Sequence, residues 1–259
     1  MERRKLLKLL ALTSASSVFG LGATSLQKAV ASKDVISWGY VGAGSPEHWG
    51  ELSSTYSACR AGLQQSPIDL QDAISANLKN IEINYKPIPL SILNNGYTIQ
   101  VNAASGNSIQ LDEEEFKLLQ FHFHDPSEHT VKSRSYPMEL HFVHANAKGE
   151  LAVLGVLLEE GQENMSLKPV WDAMPAQKME AKTISGAQVD ITKLLPSDRS
   201  TFRYFGSLTT PPCSEIVKWV VFKAPIQVSA AQVAQFKKIF PLNARPVQPL
   251  ERRFILQSN

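Results

Sequence analysis

The chain has 259 residues, 43% of them apolar and 19% charged, with 26 basic against 24 acidic side chains and a formal charge of +2. The apolar fraction is ordinary for a soluble protein, and no run of 18 or more apolar residues marks a transmembrane helix. Nothing in the charge balance suggests a basic groove for nucleic acid.

The first 31 residues differ from the rest. Arg3, Arg4 and Lys5 form a basic start, a moderately apolar run follows from Leu6 to Leu26, and Ala29-Val30-Ala31 offers a cleavage site before Ser32. Residues 1–31 therefore read as a signal peptide, and residues 32–259 as one domain exported to the periplasm or the extracellular space. The Arg3-Arg4-x-Leu6-Leu7-Lys8 pattern suits the twin-arginine route, with the Sec route as the alternative. Removing the leader takes away five basic residues and one acidic residue, which leaves 21 basic against 23 acidic side chains and a net charge of −2. The apparent basicity belongs to the leader. The only cysteines are Cys59 and Cys213, and an oxidising compartment favours a bridge between them over two buried thiols.

Residues 32–66 read as loop, anchored by Trp38, Tyr40, Pro46 and Trp49. From Ile81 to Val156 the pattern is mostly strand. Ser91 to Val101 predicts a hairpin with Asn95-Gly96 in its turn. Further strands are expected over Ser108 to Leu111, Phe116 to His124, Met138 to His144 and Leu151 to Leu158, the last continuously apolar and hence central. A short helix is expected around Lys168 to Met174, a strand over Ile216 to Phe222, and a helix after the capping-box pattern Ser229-x-x-Gln232. The class is mainly β (α+β): a large twisted, mostly antiparallel central sheet with a few short peripheral helices.

Five of the six histidines fall in Phe121-His-Phe-His-Asp-Pro-Ser-Glu-His129 and Glu139-Leu-His-Phe-Val-His144. Side chains alternate along a strand, so His122 and His124 share one face while Phe121 and Phe123 take the other. A lone histidine on a strand is ordinarily a hydrogen-bonded core or surface residue. Two adjacent imidazoles on one face are costly to bury without a common partner. A third histidine from a neighbouring strand, such as His141, would complete a three-nitrogen site with one open position, the arrangement of catalytic zinc. Gln120 and Glu139 precede His122 and His141 by two residues each, and are placed to orient a ring. Competing chemistries lack their patterns. There is no H-E-x-x-H, no Cys-rich zinc spacing and no G-x-S-x-G, Ser207 being the nearest look-alike.

On these residues the chain resembles the α-class carbonic anhydrases, especially exported bacterial members. The landmarks are Gln65-Ser-Pro-Ile-Asp69, Ile92-Leu-Asn-Asn-Gly96, Gln120-Phe-His-Phe-His124, Ser127-Glu-His-Thr130, Glu139-Leu-His-Phe-Val-His144, Gly206-Ser-Leu-Thr-Thr-Pro-Pro212 and Asn243-Ala-Arg-Pro-Val-Gln-Pro249. The resemblance implies reversible hydration of carbon dioxide to bicarbonate and a proton by a zinc-bound hydroxide, with one Zn2+ per chain. Its zinc water has a pKa of about 7, a figure established for carbonic anhydrases themselves. His122, His124 and His141 would be the ligands. Gln120, Glu139 and the Asn243 carbonyl would orient His122, His141 and His124 in turn. Thr209 would accept the hydroxide proton and donate to Glu128. Val143, Val153, Leu208, Val217 and Trp219 would wall the carbon dioxide pocket, with Thr210 beside them. Cys59 and Cys213 match the bridge of exported members. His129 would have a structural role near Glu128, and His144 and His48 none in catalysis. Sulfonamide-type inhibitors are expected to bind, and the protein to be a monomer or homodimer.

Two positions depart from the family pattern. Fast members carry a proton-relaying histidine just after the Asn-Asn-Gly turn, and Tyr97 stands there. Tyrosine, with a pKa near 10, is a poor relay at neutral pH compared with histidine near 6.5. Asp125 follows the two ligands where the family often has an apolar residue; it either faces solvent or adds negative charge near the site. Gln100, in the hairpin strand, is a candidate for ordering water in the cleft. The alternative function is a non-catalytic or weakly active zinc-binding recognition module, against which the complete set of ligands, Thr209 and Glu128 argues.

Overall fold

The structure, a computed structural model, describes residues 37–258; the expected leader lies outside them. Two short helices, α1 (Trp49–Leu52) and α2 (Ala58–Ala61), come first. Strands β1 (Asp69–Leu70), β2 (Ile74–Ala76), β3 (Glu82–Asn84), β4 (Ile88–Asn94), β5 (Ile99–Asn102), β6 (Ser108–Leu111), β7 (Glu114–His124), β8 (Thr130–Val131), β9 (Met138–Ala145) and β10 (Leu151–Glu160) follow. Helix α3 (Lys168–Ala173) leads to β11 (Met179–Val189), β12 (Thr201–Gly206), β13 (Val217–Phe222) and β14 (Ile226–Val228). Helix α4 (Ala230–Lys237) and β15 (Leu256–Ser258) complete the described chain. No helix among the described residues is long and apolar enough to cross a membrane.

Thirteen strands form one sheet in the order β11-β4-β5-β7-β9-β10-β13-β12-β15-β2, with β14 beside β10, β6 beside β7 and β3 beside β6. Most pairs are antiparallel, as expected. The centre is mixed, because β10 pairs antiparallel with β9 and parallel with both β13 and β14. That follows from the chain between β10 and β13, which crosses through α3, β11 and β12 and is long enough to return in the same direction. Strand β10 is buried over Leu151–Leu158, as its unbroken apolar run predicts. β11 and β12 escape the sequence reading: β11 is largely exposed, with few apolar residues to mark it.

Both faces of the sheet are covered. On one face Phe121, Phe123, Leu140, Phe142, Leu154, Val156, Val220 and Phe222 join the larger core. Helices α3 and α4 close this side: Phe123 meets the Trp171 ring edge-on at 5.0 Å, and Trp171 Nε1 donates to Gln232 O at 2.9 Å. The α4 capping box forms as its sequence predicts, with Gln232 N donating to Ser229 Oγ and Ser229 N to Gln232 Oε1. The other face carries a smaller core of Val153, Leu157, Phe202, Tyr204, Val217, Trp219 and Val221.

A β-bulge in β7 decides which residues reach this second face. Leu118 pairs with His144, but Gln120 pairs with Val143, so one residue is extra. Before it Phe116 and Leu118 point into the larger core; after it Phe121 and Phe123 do. Without the bulge the alternation would turn His122 and His124 into that core. The phase slip is visible in the sequence, since the apolar positions change from even to odd between Leu118 and Phe121.

The hairpin turn is longer than Asn95-Gly96 alone. It covers Asn95 to Thr98: Asn95 Oδ1 accepts from Tyr97 N and Thr98 N, Asn94 Oδ1 accepts from Gly96 N, and Gly96 has φ +91. The N-terminal loop is pinned where its aromatics predict. Trp49 is fully buried, meets Trp38 and Tyr40 edge-on, and donates Nε1 to Gly39 O and Gly44 O. Cys59 and Cys213 are joined by a disulfide beneath it.

Candidate metal centre

The sheet register brings the predicted ligands together. His122 on β7 lies directly opposite His141 on β9, and His124 lies opposite Glu139. Ring centroids are 5.4 Å apart for His122 and His141, 5.0 Å for His122 and His124, and 4.6 Å for His124 and His141.

Each ring has one nitrogen committed to a protein acceptor. His122 Nδ1–H donates to Gln120 Oε1 at 2.9 Å, His124 Nδ1–H to the Asn243 carbonyl at 2.7 Å, and His141 Nε2–H to Glu139 Oε1 at 2.9 Å. Those bonds set the tautomers. They leave lone pairs on His122 Nε2, His124 Nε2 and His141 Nδ1. Burial, the first cause in each case, holds all three imidazoles below the ordinary histidine range, His124 at about 4. Repulsion from the other two rings adds to it at His122. They are neutral at pH 7, the form that binds a metal.

The residues fit a metal ion. Nitrogens of the three rings lie within 4.8 Å of one another. His124 Nε2 is buried with no hydrogen-bond partner, and so is Glu128 Oε2, which stands 3.5 Å from it and 3.8 Å from His141 Nδ1. Acceptors that converge without a donor are unfavourable until a cation joins them. Burial also pushes the Glu128 carboxyl up to about 7, which a neighbouring cation would reverse.

Glu139 is the hub of the supporting network. Its Oε1 accepts from His129 Nδ1 (2.7 Å) and His141 Nε2, and its Oε2 accepts from the main-chain N–H groups of Glu128 (2.9 Å) and His129 (2.8 Å). Burial would raise its pKa, but the facing His129 and His141 outweigh that and hold it well below the usual range. His129, expected near Glu128, is its chain neighbour but bonds through its ring to Glu139 and to the Tyr204 hydroxyl at 2.6 Å. His144 lies on the opposite face, and His48 stands at the surface beside Glu51.

Thr209 is buried on the loop after β12, and its side chain draws the Glu128 carboxyl's pKa down against the larger effect of burial. Glu128 Oε1 accepts the Arg245 main-chain N–H at 2.9 Å. Thr210 O, next in the loop, accepts Cys213 N–H at 2.9 Å. Val143, Val153 and Trp219 lie side by side across β9, β10 and β13, and with Val217 and Leu208 they belong to the apolar cluster on the ligand face.

Asp125 fits neither expectation. It is buried, and it sits 3.9 Å from Lys237 Nζ of α4, the helix packed on the face opposite the ligands. Tyr97 lies flat on Trp38, centroids 3.7 Å apart at 8°, with its hydroxyl 3.5 Å from Ser37 Oγ. Gln100 pairs across from His122 and donates to Asn102 Oδ1 at 2.7 Å. The sequence reading assigned no role to Arg245, Gln65 or Tyr204. A charged residue between Ala244 and Pro246 in an otherwise uncharged stretch was the available signal for the first.

Comparison with known proteins agrees with this geometry. A family model for eukaryotic-type carbonic anhydrases matches residues 44–259. A carbonic anhydrase of Nostoc sp. is 44% identical over 99% of this chain and 97% of its own, and one from Pectobacterium atrosepticum is 42% identical over 87% and 92%. Among solved structures, the α-carbonic anhydrase of Thermovibrio ammonificans in complex with the inhibitor sulfanilamide superposes with a TM-score of 0.82 at 45% identity, covering 85% of this chain and 98% of that one. With the candidate histidine triad, its supporting acceptors and this agreement over nearly the whole described chain, the protein belongs to the α-class, eukaryotic-type carbonic anhydrase family.

Proposed function

We propose that the protein is a zinc enzyme that hydrates carbon dioxide reversibly to bicarbonate and a proton, and that it is slowed by the lack of a histidine proton relay. The observation that carries the zinc assignment is the set of three neutral imidazoles, each with one nitrogen bonded to protein and the other free. His122 Nε2, His124 Nε2 and His141 Nδ1 would hold the ion. When bound, zinc supplies the Lewis acidity that makes water nucleophilic near neutral pH, as is established for carbonic anhydrases.

The remaining work falls to this chain's own side chains. Gln120, Glu139 and the Asn243 carbonyl keep the three rings aimed. Thr209 accepts a hydrogen bond from the attacking group and donates its own proton towards Glu128, so only a group that carries a proton is well received. Val143, Val153, Leu208, Val217 and Trp219 hold the apolar substrate and exclude water, with Thr210 at their polar edge. A sulfonamide is expected to bind here, as sulfanilamide does in the Thermovibrio relative.

Hydration releases a proton that must leave the cleft. Direct loss from a group of pKa about 7 to water is limited to on the order of 10²–10³ s⁻¹, from a diffusional return rate of roughly 10⁹–10¹⁰ M⁻¹s⁻¹. Tyr97 stands in place of the relaying histidine, with its ring stacked on Trp38. Turnover at low buffer should rise on adding imidazole and on Tyr97→His; a rate that neither change moves sinks the relay argument.

The protein is further proposed to be exported, with residues 1–31 removed, which accords with its disulfide. The zinc reading is tested on purified protein by metal content together with sulfanilamide-sensitive hydration of carbon dioxide. One zinc per chain with sensitive hydration is expected. Stoichiometric zinc without hydration in strong buffer would favour a recognition module instead.

A further inference from the structure

Arg245 is a guanidinium in the interior, 2% exposed. A buried cation is costly unless its donors are met. Here its two Nη groups end on carbonyl oxygens of the N-terminal segment, while Nε is buried without a partner. Nη1 donates to Gln65 Oε1 (2.9 Å) and Ser66 O (2.8 Å), and Nη2 donates to Cys59 O (2.8 Å). The Trp49 ring presents its face 5.6 Å from the guanidinium carbon.

Gln65 carries the connection onward. Its Nε2 donates to Cys213 O at 3.1 Å, and Cys213 N–H donates to Thr210 O, one residue beyond Thr209. At its own main chain, Arg245 gives its N–H to Glu128 Oε1. One side chain thus links the backbone that grips Glu128 to the loop that bears Thr209.

We propose that Arg245 is a positioning residue for the Glu128–Thr209 pair: its guanidinium, through Gln65, fixes the separation between the main chain that holds the Glu128 carboxylate and the loop that carries Thr209. The inference rests on the roles given to Thr209 and Glu128 above. A planar fork suits this work because it meets three acceptors at fixed angles, whereas a lysine ammonium on a flexible stem does not. Loss of the fork strands the Gln65, Ser66 and Cys59 acceptors and lets the two segments relax by fractions of an ångström, enough to spoil a hydrogen-bond relay.

A double-mutant cycle on the zinc-loaded full chain tests it, with Arg245→Met crossed against Thr209→Ala. Two readouts are taken: kcat and KM for hydration, and the dissociation constant of sulfanilamide. Arg245→Met alone should lower kcat and weaken sulfanilamide, each roughly tenfold, with zinc still one per chain and KM within about twofold. In the Thr209→Ala background the same change should cost less than about twofold in both readouts. Equal losses in the two backgrounds would mean a merely structural role and would overturn the inference, as would full activity in Arg245→Lys. If Thr209→Ala by itself leaves both readouts unchanged, the reading of the pair has failed, and the inference with it. Should Arg245→Met not fold, the cycle is run with Gln65→Ala, which cuts the same link at Cys213 O; additive losses there overturn the inference equally.

Discussion

What separates the three proposed ligand histidines from the structural ones is the second ring nitrogen. His122, His124 and His141 each keep one nitrogen free, whereas His129 and His144 have both engaged. His144 contacts Ala152 O at 3.1 Å and the Tyr85 hydroxyl at 2.5 Å, and burial holds its pKa at about 4. The unfolded chain takes up that proton below about pH 6.5, while the folded chain refuses it until about pH 4. Stability from this residue is therefore complete above about pH 6.5 and falls as the pH drops, by about 3 kcal/mol once pH 4 is reached. Denaturant titrations from pH 7 to pH 4 should show a shallower loss for His144→Gln than for the wild type. Parallel curves would mean that the imidazole is not the buried neutral base described.

At the scale of the element, the site depends on small irregularities in otherwise regular strands. The bulge in β7 turns His122 and His124 to the second face, and Gly155 on β10 leaves room beside His141 for Glu139. A Cβ at position 155 would come within 3.0 Å of Glu139 Oε1 and 3.2 Å of a Val221 methyl. Glu139 is held by four hydrogen bonds and cannot withdraw without losing some of them. Gly155→Ala should cost about 1–3 kcal/mol of stability by overpacking. It should also weaken zinc affinity, because the carboxylate that aims His141 is displaced. Chemical denaturation and competition with a chelator measure the two effects, and wild-type values in both would refute the account.

At the scale of the whole molecule, the site is assembled across the chain. The proposed metal ligands lie within 20 residues of one another, but Thr209, Asn243 and Arg245 arrive from much later in the sequence. The disulfide joins positions 154 residues apart, tying the N-terminal loop to the segment that follows Thr209. Closing a loop of that length removes unfolded-state entropy worth up to about 5 kcal/mol on the chain-entropy model. The Cys59→Ala/Cys213→Ala double variant should lose several kcal/mol in denaturation, and reduction of the wild type should reproduce the loss. If stability is unchanged by either, the bridge is not what holds this part of the fold.

Spacing alone put His122 and His124 on one strand face with Gln120 and Glu139 placed to orient a ring, because alternation along a strand is a local property, and the resemblance singled out His141 as the third proposed ligand. His122, His124, Gln120 and Glu139 could be placed on a common face from spacing, and the resemblance supplied Thr209, Glu128 and Asn243 at positions where the structure gathers them. Most strands and the α4 cap were legible for the same reason: periodicity and capping act within a few residues. Tertiary structure alone decided the rest. The parallel pairing of β10 with β13, the exposed edge strand β11 and the four-residue turn from Asn95 to Thr98 depend on what the chain packs against. So do the burial of Asp125 towards Lys237, the locking of His129 between Glu139 and Tyr204, and the guanidinium of Arg245. A residue's type and spacing say what it can bind, but only the assembled fold sets which of its polar atoms are left without a partner, and two such atoms, His124 Nε2 and Glu128 Oε2, stand together at the site.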